Sequence, residues 1–259
     1  MPQRLVRRLN CHATLTSAAA EDLVGLIPAR LRRVKAREEL AQEGVDRGIL
    51  VVVEGWACRF RLLPDGRRSI LAPLLPGDPS EVPPRNREIA VPALGALTEV
   101  IAHEYREQDL LDLAARHPSL ALALERVAAA DAAMLRERVV SLGQRTACER
   151  IAHFLCEIRH RLDAIGLCQG MGCPFPMTQT DMADTLGLTT VHVNRTLQAL
   201  RSAGLVELRG RRLTLPRLPE LGKMAFFDPG YLGPVRPGSP DPGNGLDPSP
   251  GEPGPELRP

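Results

Sequence analysis

The stretch "MTQTDMADTLGLTTVHVNRTLQALRSAG", Met177 to Gly204, carries two helix-length patterns separated by a single glycine. Thr178 suits an N-cap, and Asp181 three positions on can reach back to it as in a capping box. Met182 and Leu186 then face inward, and Ala183 is small where a second helix must cross closely. Gly187 can end the first helix because it tolerates the left-handed conformation that a β-carbon disfavours. With Leu188 turned inward and Thr189 capping again, the chain reverses within about three or four residues, so the second helix stands steeply against the first.

On that second helix Val193, Leu197 and Leu200 gather on one side, while Thr190, Val191, His192, Asn194, Arg195, Gln198 and Arg201 spread over the rest. The small residue, the glycine four later and Val193 six beyond it have helix-turn-helix spacing. A major groove about 12 Å wide accepts one such helix, whose first turns reach base edges. Immediately afterwards "LVEL" and "RRLTL" flank Arg209 and Gly210 as a short hairpin, a basic wing placed to touch phosphate. The candidate contacts to double-stranded DNA are therefore Thr178, Thr189, Thr190, Val191, His192, Asn194, Arg195, Gln198 and Arg201, with Arg211 and Arg212 from the wing. The competing reading is a helical hairpin that only packs; capping, turn and wing together favour DNA.

Working outward, 259 residues suggest two modules plus extras. The 33 basic and 31 acidic residues leave a net charge of only +2, so a general polyanion binder is disfavoured and any nucleic-acid contact must be a local basic face. All basic residues except Lys35 and Lys223 are arginines, which can fork onto phosphate or guanine. Six scattered cysteines without a CxxC pair imply reduced thiols rather than a disulfide scaffold. No apolar run approaches a membrane span, and the arginine-rich start lacks a signal-peptide core, so a soluble, cytoplasmic protein with no membrane partner is expected. The absence of G-x-S-x-G, H-E-x-x-H, Walker and Rossmann motifs argues against an enzyme.

The fold class expected is α+β. From Leu31 to Pro76 the text is strand-like, with "PDG" at Pro64 to Gly66 joining two runs of β-formers and glycines punctuating at intervals suited to an antiparallel, jelly-roll-like β-roll. The proline-rich run Pro76 to Pro92 interrupts the sheet, and "ALTEVIAHE", Ala96 to Glu104, restores a strand. A long helix follows from Ser119 to Leu142, where Ala128, Ala132, Leu135, Val139 and Leu142 form a narrow apolar seam suited to a partner helix or, equally, to packing on the protein's own roll. Gly143 marks a break before the next helix. The domains are drawn at 1–118 for an effector-sensing roll, 119–143 for a dimerisation helix and 144–232 for the winged helix-turn-helix. The Pro/Gly-rich tail 233–259 is expected to be disordered.

The order of roll, long helix and "TQTDMADTLGLTTVHVNRTLQAL" with a wing resembles the Crp/Fnr superfamily of dimeric bacterial transcription regulators over roughly residues 20 to 232, and "FFDPGYL" resembles an extension seen in some members. The resemblance implies a homodimer on palindromic promoter DNA, base reading at Thr190, Val191 and Arg195, and RNA polymerase as a partner. Two departures stand out. Where cyclic-nucleotide members carry Gly-Glu and later an Arg-Ser or Arg-Thr pair around the ligand phosphate, this chain has Gly77-Asp78 and no matching pair, Arg85 and Arg87 being out of register. Cyclic AMP is therefore not expected and the cofactor is unknown. Val191 also replaces an acidic residue that accepts a hydrogen bond from cytosine, so the half-site should differ at that pair.

Other features read as bland. His153, Cys156 and His160, with Glu149, share a helix face, a metal-ligand spacing weighed against a plain solvated face, and no metal site is assigned. Only Cys11 lies where the Fnr branch clusters its iron-sulfur cysteines. Cys58 reads as a packed strand thiol, His103, conceivable as a haem ligand, as a lone strand histidine simply packed or surface-exposed, and the run Arg30, Arg32, Arg33, Lys35 and Arg37 as solvated charge. The alternatives to a DNA-binding regulator of this ordinary type are a metal- or thiol-dependent redox-sensing regulator, and a ligand- or protein-interaction module whose helix-turn-helix is only structural.

Overall fold

The computed structural model describes residues 3–45, 47–84 and 91–233. Two short helices, α1 (Gln3–Asn10) and α2 (Ser17–Gly25), precede the roll. The strands are β1 (Arg30–Val34), β2 (Glu39–Ala41), β3 (Ile49–Glu54), β4 (Ala57–Leu62), β5 (Arg68–Leu74), β6 (Ala93–Ala96) and β7 (Val100–Tyr105). They form two antiparallel sheets, ordered β1-β7-β3 and β2-β6-β4-β5. Strand side chains alternate between faces, and β3 needs apolar residues on both. Leu50 and Val52 point between the sheets, onto Leu40, Ala57, Leu94 and Val100. Ile49 and Val51 join Tyr105 and the outer helices instead.

The expected single strand from Ala96 to Glu104 is two strands in different sheets. The chain changes sheets at Leu97–Glu99, where the backbone N–H groups of Leu97 and Thr98 both donate to the Trp56 carbonyl. Gly55 makes this corner possible: at φ +80, an added β-carbon would lie 2.0 Å from the Glu99 carbonyl oxygen. In the proline-rich run, Gly77 to Ser80 lies along β3, with Gly77 N–H donating to Val52, Val52 N–H to Asp78 and Ser80 N–H to Leu50. Arg85 and Arg87 fall outside the described residues, as does the tail beyond Gly233.

Helix α3 (Glu107–Arg116) leads to the long α4 (Pro118–Gln144), which continues through Gly143 rather than breaking there; Arg145, in extended conformation, ends it. Leu120, Ala123, Leu124, Val127, Ala130 and Met134 are its buried side. The seam read from the sequence is on the other side: Leu135, Val139 and Leu142 are 48%, 70% and 46% exposed, and Ala128 and Ala132 are also exposed. The seam therefore does not pack on this chain's own roll.

Helix α5 (Ala147–Ala164) opens the C-terminal half with a capping box of Thr146 and Glu149. Then come β8 (Gly172–Pro174), α6 (Gln179–Leu186), α7 (Thr190–Ser202), β9 (Glu207–Arg209), β10 (Arg212–Thr214), α8 (Leu218–Met224) and a 3-10 turn at Pro229–Leu232. Strands β8, β10 and β9 form the third sheet, in that order. Among the described residues no helix is long and apolar enough to cross a membrane.

Candidate nucleic-acid interface

The capping box at the start of α6 is reciprocal: the Thr178 hydroxyl accepts from Asp181 N–H at 3.1 Å, and the Asp181 carboxylate accepts from Thr178 N–H at 2.9 Å. Gly187 ends α6 at φ 62, ψ 40, and an added β-carbon would meet Leu142 Cδ2 at 3.1 Å, so the tight turn is seated against the end of α4. Thr189 accepts from His192 N–H at 3.2 Å and caps α7. Val193, Leu197 and Leu200 are buried, which rotates the remaining residues outward. Thr178, Thr189, Thr190, Val191, His192, Asn194, Arg195, Gln198 and Arg201 are all exposed, Val191 at 73%. Asn194 Nδ2 donates to Gln179 Oε1 at 3.1 Å, tying the exposed face of α7 to the start of α6.

The wing closes at Gly210 and Arg211, both at positive φ (55 and 60), the two-residue turn whose twist matches antiparallel strands. Phe175 N–H donates to the Arg211 carbonyl at 2.8 Å, so β8 and its continuation carry the wing tip. Arg209, Arg211 and Arg212 are exposed, and none of them, nor Arg195 or Arg201, forms an ion pair with a described residue. Among the described residues this leaves guanidinium charge without a carboxylate partner on α7 and the wing.

Sequence reading missed what holds this unit in place. The Asp181 carboxylate is fully buried and receives five donor contacts: Arg37 Nη1 at 2.6 Å and Nη2 at 3.0 Å, Arg68 Nη2 at 2.8 Å, and the Thr178 N–H and hydroxyl. Burial alone would raise its pKa; the hydrogen bonds from Arg37 and Thr178 outweigh it and bring it down to about 2. Arg68 also reaches Asp184 at 2.8 Å. Arg37 and Arg68 belong to the roll, so α6 is clamped to the roll through its own capping residue. This corrects the reading of the Arg30–Arg37 run as solvated: Arg37 holds Asp181, and Arg32 pairs with Glu104 at 2.8 Å. Between the Ala36–Arg37 turn, Glu99 and the wing lies an open cleft of about 380 Å³, with Arg201 and Arg209 on its wall.

At the roll's Gly77-Asp78, the carboxylate faces the protein's own arginines. Asp78 meets Arg8 Nε of α1 at 2.7 Å and Arg161 Nη2 of α5 at 2.6 Å, with all three side chains buried. Burial would raise its pKa, but Arg8 and Arg161 hold it below the usual carboxylate range. A β-carbon on Gly77 would come within 2.6 Å of the Arg4 carbonyl, so α1 lies directly over this loop. The Gly77-Asp78 loop thus lies under α1, with its carboxylate engaged by the protein's own arginines.

The face carrying His153, Cys156 and His160 is not solvated. His153 is 3% exposed, stacks on Tyr231 with ring centroids 5.9 Å apart and meets Phe227 edge-on at 5.2 Å. Burial, with Arg145 and Arg138 nearby, lowers its pKa to about 3, while burial pushes the Cys156 thiol up to about 12. The "FFDPGYL" segment covers this face, and the Tyr231 hydroxyl donates to Glu157 at 2.9 Å. The apolar stripe missed this because the covering aromatics lie far along the chain. Among the described residues no three His, Cys, Asp or Glu side chains converge as metal ligands. Cys58 is buried, its thiol pushed up to about 12 by desolvation, and His103 packs beside Tyr105 with Nδ1 3.3 Å from the hydroxyl.

A winged helix-turn-helix behind a β-roll and a long helix defines a class of transcription regulators. The Crp-like helix-turn-helix domain matches residues 149–224. The nitrogen fixation regulation protein FixK of Bradyrhizobium diazoefficiens is 31% identical over 169 residues, 65% of this chain and 70% of its own length. FixK of Azorhizobium caulinodans is 32% identical over 182 residues, covering 70% and 72%. The solved structure of FixK2 from Bradyrhizobium japonicum superposes with a TM-score of 0.66 at 28% identity, over 77% of this chain and 98% of that one. The chain belongs to the Crp/Fnr family of transcription regulators.

Proposed function

We propose that the protein binds palindromic promoter DNA as a homodimer, with α7 of each protomer in the major groove and the wing on the adjacent backbone. The observation that carries this is the outward face of α7, where Val191, Asn194, Arg195 and Gln198 stand exposed over a back anchored by Val193, Leu197 and Leu200. Thr178, Thr189, Thr190, His192 and Arg201 border that face, and Arg211 and Arg212 supply sequence-independent phosphate contacts. The exposed seam of Ala128, Ala132, Leu135, Val139 and Leu142 is the dimer contact, a/d-like positions that the described residues leave largely open. The working division is a roll over 1–118, a dimerisation helix over 119–143, a DNA-binding unit over 144–232 and a tail over 233–259. RNA polymerase is the further partner that the family supplies.

Two such units on a two-fold axis place half-sites roughly 34 Å apart along one face of DNA. Selection of bound genomic fragments followed by gel-shift titration tests the reading. Fragments sharing an inverted repeat, bound with affinity that falls steeply with salt, are the expected result. Replacing Arg195 with Ala should cost about 1–3 kcal/mol on the selected site and relax one base pair, whereas Arg211→Ala or Arg212→Ala should weaken all sequences alike. Equal losses on selected and random DNA from the Arg195 change would refute its reading role.

A further inference from the structure

We infer that Cys168 and Cys173 form a reversible dithiol–disulfide site at the base of the wing, oxidised by small hydroperoxides. The geometry begins with the turn between α5 and β8. Gln169 and Gly172 exchange two backbone hydrogen bonds, 2.8 and 3.1 Å long, as an isolated antiparallel bridge, with Gly170 at φ 57 closing the turn. In an antiparallel ladder the next pair outward is non-hydrogen-bonded, with Cα atoms about 4.5 Å apart and side chains on the same face. That pair is Cys168 and Cys173, and the spacing falls within the roughly 4.4–6.8 Å that a disulfide spans. The Cys168 thiol donates to the Arg159 carbonyl at 3.7 Å and lies near enough to Cys173 to perturb its titration. Neither is bonded to another cysteine.

The pair is poised for the chemistry. The neighbouring Cys168 thiol lowers the Cys173 pKa, aided by Arg159 and Arg212 against the opposing effect of burial, while Cys168 itself is raised. Cys173 is buried, whereas Cys168 is half-exposed and is the sulfur an oxidant meets. Cys168, having released its proton to solvent, attacks the terminal oxygen of a hydroperoxide ROOH as the thiolate. The O–O bond breaks, leaving a sulfenic acid on Cys168 and an alkoxide that takes a proton from water to become ROH. The Cys173 sulfur then attacks the sulfenic sulfur; the S–S bond forms and water leaves with the thiol proton. The two electrons given up by the dithiol are those that reduce the peroxide bond.

Closure has a mechanical consequence. Cys173 pairs with Leu213 of β10, Pro174 pairs with Arg212, and Phe175 N–H holds the Arg211 carbonyl. Bringing two unbonded sulfurs to about 2 Å draws β8 toward the turn and shifts the strand that supports the wing tip. The inference rests on the turn geometry and not on the DNA-binding reading, so its test uses no DNA.

The test treats reduced full-length protein with hydrogen peroxide, traps remaining thiols with iodoacetamide and maps the peptides. The expected product is an intramolecular Cys168–Cys173 disulfide, reversed by dithiothreitol, with alkylation of Cys168 falling at least tenfold. Cys168→Ser should abolish the bridge while leaving the fold intact by circular dichroism, and Cys58→Ser should not affect it. Amide exchange in β9 and β10 should change on oxidation and return on reduction. Folded, peroxide-treated protein with both cysteines still alkylated, or with either bridged to a different cysteine, would overturn the assignment. A bridge that forms without altering exchange in β9 or β10 would overturn the coupling to the wing.

Discussion

Replacing Asp181 with Asn tests the clamp between the roll and α6. The amide keeps the size of the carboxylate but loses the charge that two guanidinium groups share. The fall in the Asp181 pKa from 3.8 to about 2 corresponds to about 2 kcal/mol of folding stability at neutral pH. Severing a fully buried ion pair costs about 3–5 kcal/mol, but the Arg37 and Arg68 side chains are 46% and 26% exposed, and water compensates part of their loss. The expected penalty is therefore about 2 kcal/mol at pH 7. The folded-state pKa is depressed, so the contribution is complete well above pH 3.8 and disappears as pH falls through about 2. About half should remain at pH 3. Urea unfolding of wild type and variant at pH 7, 5 and 3 measures the gap between them, in which the other titrating groups cancel. A gap below about 0.5 kcal/mol, or one that stays constant from pH 7 to pH 3, would show that the clamp adds nothing beyond ordinary surface pairing.

Asp78→Asn should cost more, about 3–5 kcal/mol, because Arg8 and Arg161 are both buried and would lose their shared carboxylate, Arg161 keeping only Glu157 at 3.8 Å as an ion-pair partner among the described residues; chemical denaturation measures it. His153 titrates near 3 rather than 6.5, so the unfolded chain takes up its proton first and stability should fall as pH drops from 6.5 toward 3; His153→Phe should flatten that limb in melting curves. Val139→Asp places a charge on a seam position that is 70% exposed and should shift the protein toward monomer in analytical ultracentrifugation without lowering protomer stability by more than about 0.5 kcal/mol. Gly187→Ala puts a β-carbon at φ 62 and 3.1 Å from Leu142, and should lower stability by about 1–2 kcal/mol in the same unfolding assay.

The helix-turn-helix was legible because its determinants are local. The Thr178–Asp181 box, the left-handed Gly187 and the Thr189 cap each involve residues within one turn of each other, and the spacing of Val193, Leu197 and Leu200 sets which side of α7 faces out. The wing and the roll's strands follow from equally local alternation and turn chemistry. The two-residue turn from Gln169 to Gly172 is of the same kind, but its glycine was not read as a hairpin, so Cys168 and Cys173 stood as scattered thiols.

What the chain's order determined alone is thus the helix-turn-helix, the wing and the outward side of α7, since hydrogen-bonding partners one turn away are fixed by spacing. Tertiary structure decided which charges meet. Arg37 and Arg68 reach Asp181 across 144 and 113 residues, and Arg161 reaches Asp78 across 83. No periodicity encodes such pairings, because an arginine on a strand or turn looks the same in sequence whether it ends in water or against a buried carboxylate. Only packing the roll against α5 and α6 removes the water and makes the choice.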